Sequence, residues 1–360
     1  MRPEENHSLV SGVPTPAKAT RCSTKQDRNL LILQGDDVAS ILAGRDLEVI
    51  RLVEEAYKAH TRGETSLPHS SFVSLPGTGN RIIALPAFIG GTTPAAGMKW
   101  IASIPSNPEA GRDRASAVIV INDPFTGHLR AVLDGSLISR RRTAASAILA
   151  VQRITSDVDR MALVGCGPIN FEIARVAALV CHVKRFVLFD IRSERAAVLA
   201  SRLSGVETTE DVCVASTLEE ACRSSPLVSI ATTATLPYIN EIRAFQSRAL
   251  ILHISLRDLS PSVIVRCDNI TDDIDHVCRA NTSLEMTESL VGNRGFLRCS
   301  LGEILSGRAN ARPDSAMPIV FSPFGLGILD VAVARFVVDQ ALERGLGTHV
   351  SGFMSAAGFD

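Results

Sequence analysis

The stretch Leu163-Val-Gly-Cys-Gly-Pro-Ile-Asn-Phe-Glu172 has the spacing of a loop that binds a dinucleotide. It follows an apolar run and opens a helical pattern, which is the context that raises G-x-G-x-x-G above chance. Gly165 can form the tight turn, and Gly167 lets a pyrophosphate approach the helix N-terminus. Asn170 replaces the third glycine, so we expect a helix slightly farther from its strand and little effect of Asn170→Gly on binding. A plain strand-to-helix turn is the alternative for the loop alone.

The residues around this loop favour NAD as the dinucleotide. Pro168 fits the first helical turn, where its missing N–H costs nothing, and Ile169 is grouped with it as a cofactor-binding residue. Asp190 ends the next apolar run, 20 residues beyond Asn170. A carboxylate there accepts hydrogen bonds from the ribose hydroxyls and repels a 2′-phosphate, which favours NAD over NADP. Arg192 favours NADP instead, because arginine can accommodate the 2′-phosphate.

The chain divides into two regions of different pattern. From residue 160 to 254, apolar runs alternate with helical patterns, which is typical of a doubly wound parallel sheet. Before them, short apolar runs separated by Pro and Gly, with a hairpin turn over Asp123–Gly127, indicate a largely antiparallel sheet. An Ala-rich helix over Leu137–Arg153 connects the regions, and Ile319–Phe321 and Ile328–Glu343 are predicted to return to the first region.

We therefore predict an α/β fold that combines a Rossmann-type doubly wound sheet with an α+β domain for substrate binding and dimerisation. The α+β domain, which we call the first domain, covers 30–148 and 318–350, and the Rossmann-type NAD-binding domain, which we call the second domain, covers 149–317. Residues 1–29 mix charge, Pro, Ser and Thr and lack the continuous apolar segment of a signal peptide. They are predicted to be a flexible leader and not a signal peptide.

Composition excludes several classes of protein. With 46% hydrophobic and 21% charged residues, the 360-residue chain suits a soluble globular enzyme. The net charge of −1 predicts neither a nucleic-acid nor a membrane partner, and no apolar run approaches the roughly 20 residues that span a bilayer. The eight cysteines and eight histidines are dispersed, so we expect reduced thiols in a cytoplasmic protein and no metal site.

Polar residues that follow the strands of the parallel sheet are candidates for chemistry. Thr232 and Thr233 follow the fourth apolar run of this region, where small hydroxyl groups can face the ribose or nicotinamide of a cofactor. A helix cap or turn is the alternative for them. Asp258 follows the fifth run and can handle a proton near the nicotinamide, although Asp before Ser-Pro is also a common turn residue.

Cations in the first region are candidates for binding a carboxylate. Lys99 is a single charge inside an apolar strand, next to Trp100, and a charge with apolar neighbours needs a partner. A carboxylate substrate would supply one, and the solvated face of an edge strand is the alternative. Arg81 and the run Arg140-Arg-Arg142 are further cations, but at most one or two members of the run can point into a site.

These residues together resemble a known family, the ornithine cyclodeaminase/mu-crystallin family. The resemblance covers roughly residues 30–345 and rests on motifs that occur in the family's order. Further motifs resemble the branch of dehydrogenases that serves 2,3-diaminopropionate biosynthesis in siderophore and peptide-antibiotic pathways. The family motifs are Gly97-Met-Lys-Trp100, Arg142-Thr-Ala-Ala145, Gly165-Cys-Gly167, Asp258 and Phe324-Gly-Leu-Gly327, and the branch motifs are Leu67–Ser71, Asn80–Pro86, Asp113–Ala117 and Ser255–Asp258.

The resemblance implies a role for each matching residue. Lys99 would face the substrate carboxylate and the reacting carbon, and Asp258 would activate water or shuttle protons. Arg142 and Thr143 would lie between substrate and cofactor, and Ser116 would place a hydroxyl at the cofactor.

The resemblance also implies a substrate. The arginine of the cyclodeaminases has no match here, because Leu67-Pro-His69 takes its place, which argues against ornithine. Arg81 would supply a cation for a substrate with more carboxylates.

The implied reaction is an NAD-dependent oxidative cleavage. NAD⁺ would take a hydride from the glutamate half of N-(1-amino-1-carboxy-2-ethyl)-glutamate, and water would then split the imine into 2,3-diaminopropionate and 2-oxoglutarate. An ornithine cyclodeaminase or ketimine reductase on the same scaffold is one alternative. A non-catalytic nicotinamide-binding protein is another, against which the joint presence of Lys99, Arg142 and Asp258 argues. The family also implies a homodimer.

Overall fold

The computed structural model describes residues 29–156, 158–313 and 315–354, which form two eight-stranded sheets with helices packed on them. The predicted leader lies outside the described residues, apart from Asn29. Within the described ranges, no helix is long and apolar enough to cross a membrane.

The first sheet is largely antiparallel, as predicted. Asp123 Oδ1 accepts the N–H groups of Phe125 at 3.0 Å and Thr126 at 2.8 Å, which closes the predicted hairpin turn. The strands are β1 (Leu30–Leu33), β2 (Thr65–Ser66), β3 (Ser71–Ser74), β4 (Arg81–Ile89), β5 (Ala95–Ser103), β6 (Ala115–Asn122), β7 (Leu129–Asp134) and β16 (Thr348–Val350). Their order is β16-β1-β7-β6-β5-β4-β2, with β3 also paired to β4.

Four helices cover the inner face of this sheet or join it to the second domain. They are α1 (Gly35–Leu42), α2 (Asp46–Thr61), α3 (Ser136–Ile154) and α11 (Gly327–Arg344). Helix α11 packs against β4, β5, α2 and α3. Its residues from Gly327 to Ala334 are all buried, including Asp330. A carboxylate is thereby carried into the core of the first domain.

The second sheet is a doubly wound parallel sheet, as predicted. Its order is β10-β9-β8-β11-β12-β15-β13-β14. The chain winds outward from β8 to β10 and then returns to β11, so the order reverses between β8 and β11, where such folds bind ligands. The strands are β8 (Arg160–Val164), β9 (Arg185–Phe189), β10 (Asp211–Val214), β11 (Leu227–Ile230), β12 (Leu250–His253), β13 (Asp268–Thr271), β14 (Leu297–Ser300) and β15 (Ile319–Ser322).

The helices of the second domain are mostly short. They are α4 (Pro168–Val180), α5 (Ser193–Ser204), α6 (Leu218–Arg223), α7 (Pro261–Ile264), α8 (Ile274–Val277), α9 (Ser283–Val291) and α10 (Leu301–Leu305). Short 3₁₀ turns lie at Asn107–Ala110 and Ile242–Ala244.

The prediction that Ile319–Phe321 returns to the first domain is wrong. This segment belongs to β15, which lies between β12 and β13 of the second sheet, with Ile319 opposite both Leu250 and Asp268. The chain returns to the first sheet only through α11 and β16. A short run of fully buried residues has no periodicity that distinguishes one sheet from another, because parallel strands are apolar on both faces.

Candidate active site

The glycine loop has the geometry that a pyrophosphate requires. Gly165 has a φ of +87°, and a Cβ there would lie 2.5 Å from the carbonyl oxygen of Ala231, so only glycine fits. A Cβ on Gly167 would meet no atom within 4 Å, so the backbone at the start of α4 is open to a ligand. Pro168 is the first residue of the helix, as predicted. The residues present therefore fit a dinucleotide phosphate group at this helix N-terminus.

Asn170 does more than change the packing of α4, which corrects our expectation. The side chain is fully buried, and its Nδ2 donates hydrogen bonds to the carbonyls of Val164 at 2.9 Å and Gly165 at 2.7 Å. Its Oδ1 accepts a hydrogen bond from Ser229 Oγ at 2.7 Å. Asn170 thus ties the glycine loop to β8 and β11. A buried amide in an apolar helix needs such partners, which is the signal that could have revealed them.

Asp190 lies beside the glycine loop, where the predicted ribose-binding acid belongs. Its Oδ2 accepts the N–H of Cys166 at 2.8 Å, and its Oδ1 accepts the N–H of Arg192 at 2.9 Å. Arg192 itself is exposed, and Ile191 is 92% exposed. The segment that follows β9 is therefore open to solvent.

Lys99 and Arg142 meet at a buried carboxylate that sequence reasoning missed. Lys99 Nζ lies 2.7 Å from Asp330 Oδ2, and Arg142 Nε lies 3.1 Å from Asp330 Oδ1. Lys99 is only 2% exposed and Asp330 is fully buried, so Lys99 does not lie on a solvated face. Asp330 stands inside the apolar run Gly327–Ala334, which is the same kind of signal that singled out Lys99.

The surroundings of Lys99 reduce its affinity for a proton. Burial and the nearby Arg142 guanidinium lower the pKa of Lys99 to about 8, against the opposing effect of Asp330. Ser139 Oγ lies 3.3 Å from Lys99 Nζ and is a further polar contact. Two cations share one protein carboxylate, so the group keeps a surplus positive charge.

Arg141 and Arg142 of the run Arg140-Arg-Arg142 contact different partners, as expected for consecutive residues of a helix. Only Arg142 reaches Asp330. Arg141 forms ion pairs with Asp46 and, at 2.9 Å, with Glu172 of α4. These two carboxylates come from different domains, so Arg141 links them.

The loop Phe324-Gly-Leu-Gly327 explains how Arg142 is held. Asp272, at the end of β13, accepts the N–H groups of Phe324 at 2.9 Å and Gly325 at 2.7 Å. Gly325 has a φ of +93°, and a Cβ there would lie 2.9 Å from Arg142 Nη1. The motif thus connects β15 to α11 and packs its backbone against the guanidinium.

Asp258 is held by several hydrogen-bond donors. It is fully buried and accepts hydrogen bonds from Thr232 Oγ1 at 2.5 Å and from Ser255 Oγ, with His253 Nε2 at 3.3 Å and the Tyr238 hydroxyl also in contact. Burial raises its pKa, but His253, Ser255 and Thr232 outweigh burial and lower the pKa to about 2. Asp258 is therefore an ionised carboxylate near neutral pH.

Several predicted site residues are not brought into contact with this group. Ser116 is exposed and pairs with Ala102, so the alternation of β5 and β6 puts it on the face opposite Lys99. Thr233 is exposed. Thr143 Oγ1 donates to the carbonyl of Ser139 in its own helix at 2.7 Å. The roles of these three residues at a cofactor remain predictions.

Arg81, Ile169 and the cysteines complete the description. Arg81 begins β4, opposite Ser103, and its guanidinium lies 6.0 Å from the ring of Phe72. Ile169 is in the first turn of α4, beside the glycine loop.

The described cysteines are free thiols. Among the described residues, no group of His, Cys, Asp and Glu could hold a metal ion.

Comparison with known proteins identifies similar chains. A profile of the ornithine cyclodeaminase/mu-crystallin family matches residues 31–245. N-((2S)-2-amino-2-carboxyethyl)-L-glutamate dehydrogenase of Staphylococcus aureus (strain NCTC 8325 / PS 47) is 28% identical over 333 residues, covering 89% of this chain and 98% of that protein. The crystal structure of CmnK is 27% identical, with a TM-score of 0.82, and covers 90% of this chain and 98% of that one.

A third comparison concerns the fold alone. An archaeal alanine dehydrogenase dimer with bound NAD is 23% identical, with a TM-score of 0.81 over 89% of this chain and 99% of that one. The family profile spans more than half of the chain and includes Lys99, Arg142 and the glycine loop. The chain therefore belongs to the ornithine cyclodeaminase/mu-crystallin family, as its motifs predicted.

Proposed function

We propose that this chain is an NAD-dependent oxidoreductase that acts on the CH–NH group of an amino acid. Its substrate is N-((2S)-2-amino-2-carboxyethyl)-L-glutamate, and its products are L-2,3-diaminopropionate, 2-oxoglutarate and NADH. The observation that carries this proposal is the buried group in which Lys99 and Arg142 share Asp330. Its surplus positive charge suits a substrate carboxylate. The name of the Staphylococcus aureus relative, which matches nearly its whole length, supports the choice of substrate.

The cofactor would be held by the second domain. The backbone from Gly165 to Pro168 would receive the pyrophosphate, and Asp190 would bind the adenosine ribose. Bound NAD⁺ supplies the hydride acceptor for the α-carbon of the glutamate half. The glycine loop and Asp190 are already joined through the N–H of Cys166, so the two contacts to the cofactor come from one connected unit.

The residues of this chain would then position the substrate and the water. Protonated Lys99 and Arg142 hold the carboxylate next to the reacting carbon and orient that carbon. Loss of the hydride converts the secondary amine into a protonated imine. Water adds to the imine carbon, and one of its protons passes to the nitrogen. The C–N bond then breaks while the remaining hydroxyl proton passes to the departing amine, which releases diaminopropionate as its ammonium form and 2-oxoglutarate. Asp258 stays ionised and accepts a hydrogen bond from the attacking water, in place of one hydroxyl donor.

The test is a reaction with purified protein. Incubation with NAD⁺ and the aminocarboxyethyl-glutamate should produce NADH absorbance, with both products identified by mass. Correctly folded protein that gives a flat trace would refute the proposed reaction.

Two alternatives predict different results in the same assay. An ornithine cyclodeaminase converts ornithine to proline with release of ammonia and no net NADH, and a ketimine reductase consumes NADH with a cyclic imine. For a non-catalytic nicotinamide-binding protein, Lys99→Ala and Asp258→Asn would change no measured property. In our proposal the enzyme is a cytoplasmic homodimer without nucleic-acid or membrane partners.

A further inference from the structure

Three arginines gather where the first sheet meets the loop that precedes Asp258. Arg81 begins β4 opposite Ser103, the last residue of β5. The next residue, Ile104, donates its N–H to the carbonyl of Arg114 at 2.8 Å, just before β6 begins. Arg81 and Arg114 therefore lie at the same end of β4 and β6, the two strands that flank β5. Arg257 comes from the second domain, one residue before Asp258, and all three arginines are partly buried.

The three charges act on one another across the domain boundary. Burial lowers the pKa of Arg81. Burial, and then the charge of Arg81, lower the pKa of Arg114. Burial followed by Arg81 and Arg114 lowers the pKa of Arg257, against a smaller opposing effect of Asp258 and Glu285. A guanidinium nevertheless keeps its charge in proteins. Like charges that are brought together and partly desolvated require a counter-ion.

The described residues place no carboxylate in direct contact with these three guanidinium groups. Across 29–156, 158–313 and 315–354, no carboxylate oxygen lies within 4.0 Å of the guanidinium nitrogens of Arg81, Arg114 or Arg257. Arg114 Nε is buried without a hydrogen-bond partner, and Arg257 Nη2 donates only to the carbonyl of Ala280, at 2.6 Å.

Arg175 of α4 shows a different arrangement. Arg175, which is also partly buried, is paired with both Asp46 and Glu172. Arg175 thus has two carboxylates in direct contact, whereas none of the described carboxylates contacts Arg81, Arg114 or Arg257.

We infer that Arg81, Arg114 and Arg257 form a second anion site, which binds substrate carboxylates distant from the reacting carbon, including the terminal carboxylate of the glutamate half. This inference rests on the proposed function, in which Lys99 and Arg142 hold the carboxylate beside that carbon. The cluster also selects the substrate class, because it repels the terminal ammonium group of an ornithine-like compound. Arg81 alone was a candidate from the sequence, whereas Arg114 and Arg257 are added by the fold.

The experiment compares two probes that differ in one carboxylate. 2-Oxoglutarate and 2-oxopentanoate are titrated into NADH-loaded protein, and binding is followed by calorimetry. We expect 2-oxoglutarate to bind at least about tenfold tighter, as one charge-assisted contact allows. Arg81→Gln and Arg114→Gln should remove most of this difference, and Arg114→Lys should keep part of it. Arg112→Gln, an exposed arginine two residues from Arg114, is the matched control and should change nothing.

Equal affinities of the native protein for the two probes would overturn the inference, and so would an unchanged difference in both glutamine variants. The measurement needs no turnover, so it separates this inference from the proposed reaction. A flat NAD⁺-reduction trace together with loss of the 2-oxoglutarate advantage in the variants would refute the reaction and leave the anion site standing. Turnover of the substrate, together with probe affinities that do not change in the glutamine variants, would support the reaction and refute the anion site.

Discussion

At the scale of single residues, the site is built from charges that share partners. Asp330 is fully buried and receives both Lys99 and Arg142. Removing one partner from such a buried group leaves the others uncompensated, which costs more than the loss of a surface ion pair. Asp330 does not need to touch the substrate for this effect. In the proposed reaction, Asp330 positions the two cations that hold the substrate.

Asp330→Asn tests this positioning. We expect the free energy of unfolding to fall by about 3–5 kcal/mol. Burial and Arg142 would then lower the pKa of Lys99 without opposition from Asp330, so the pKa would fall below its present value of about 8. Protonated Lys99 attracts the carboxylate, so kcat/KM should decline as pH rises through that pKa, and this decline should begin at lower pH in the variant. The pH dependence of kcat/KM measures the shift.

The control for this variant lies on the same helix. Asp339 of α11 pairs with Arg335 at 3.5 Å, and its side chain is 38% exposed. Asp339→Asn should leave both stability and the pH profile near those of the native protein. An unchanged pH profile in a folded Asp330→Asn protein would show that Asp330 does not control Lys99.

The lowered pKa of Asp258 predicts that the folded protein loses stability in acid. Its pKa is lowered from 3.8 to about 2 in the folded protein, so its contribution is present above pH 3.8 and is lost as pH falls through 2. The contribution amounts to about 2 kcal/mol. In urea unfolding, we expect the free energy of unfolding to fall between pH 4.5 and pH 2 by about 2 kcal/mol more in the native protein than in Asp258→Asn. Asp36→Asn, an exposed carboxylate, is the control, and parallel curves for native and Asp258→Asn would contradict the assignment.

At the scale of elements, α4 and α11 carry polar groups into apolar surroundings. Asn170 of α4 fixes the glycine loop through the carbonyls of Val164 and Gly165 and the hydroxyl of Ser229 on β11. Asp330 of α11 reaches the centre of the first domain. Both helices therefore position the site through buried hydrogen bonds or ion pairs and not only through apolar packing.

Asn170→Gly is now expected to be costly. The change removes the donors to Val164 and Gly165 and leaves the Ser229 hydroxyl without its acceptor, in a fully buried place. Lost hydrogen bonds and a helical glycine together predict a loss of about 2–4 kcal/mol in unfolding free energy. NAD⁺ affinity should fall as well, because Gly165 loses a contact that fixes its turn. Thermal unfolding and NAD⁺ titration measure both effects.

A double-mutant cycle gives the control. Asn170→Ala and Ser229→Ala, alone and combined, should show a coupling of about 1 kcal/mol if the pair interacts as described. Strictly additive effects, or native NAD⁺ affinity in Asn170→Gly, would restore the view that Asn170 changes only local packing.

At the scale of the whole molecule, two domains meet along contacts that also serve the site. Arg141 joins Asp46 of the first domain to Glu172 of the second, and the Phe324–Gly327 loop rests on Asp272. The outer face of the first sheet is less well covered. Trp100 is 38% exposed there, on the opposite side of β5 from buried Lys99. An exposed tryptophan on an apolar sheet face suits the proposed dimer contact.

Trp100→Glu tests this contact. We expect native protein to have twice the 38.5 kDa mass of one chain, and the variant to have the single mass while it keeps its circular dichroism spectrum. The charge would be desolvated in a dimer but not in a monomer. Phe125→Glu, at the hairpin tip where Phe125 is 63% exposed, is the control. A dimer that survives Trp100→Glu by light scattering would place the contact elsewhere.

The sequence by itself determined the features that depend on neighbours along the chain. The alternation of apolar runs and helical patterns predicted the parallel sheet, and the glycine spacing with Asp190 predicted the dinucleotide loop. Lys99 could be singled out because a lone charge in an apolar strand conflicts with its immediate surroundings. Periodicity and turn chemistry are local, so they can be read from a window of a few residues.

Only the tertiary structure decided which distant residues meet. It assigned β15 to the second sheet, gave Lys99 the partner Asp330 far along the chain, and brought Arg257 within electrostatic reach of Arg81 and Arg114. A fully apolar strand fits either sheet. A lone charge in an apolar run indicates that a partner is needed, but the sequence does not identify that partner. The choice depends on how helices and sheets pack, because burial and shared partners are properties of three-dimensional contacts.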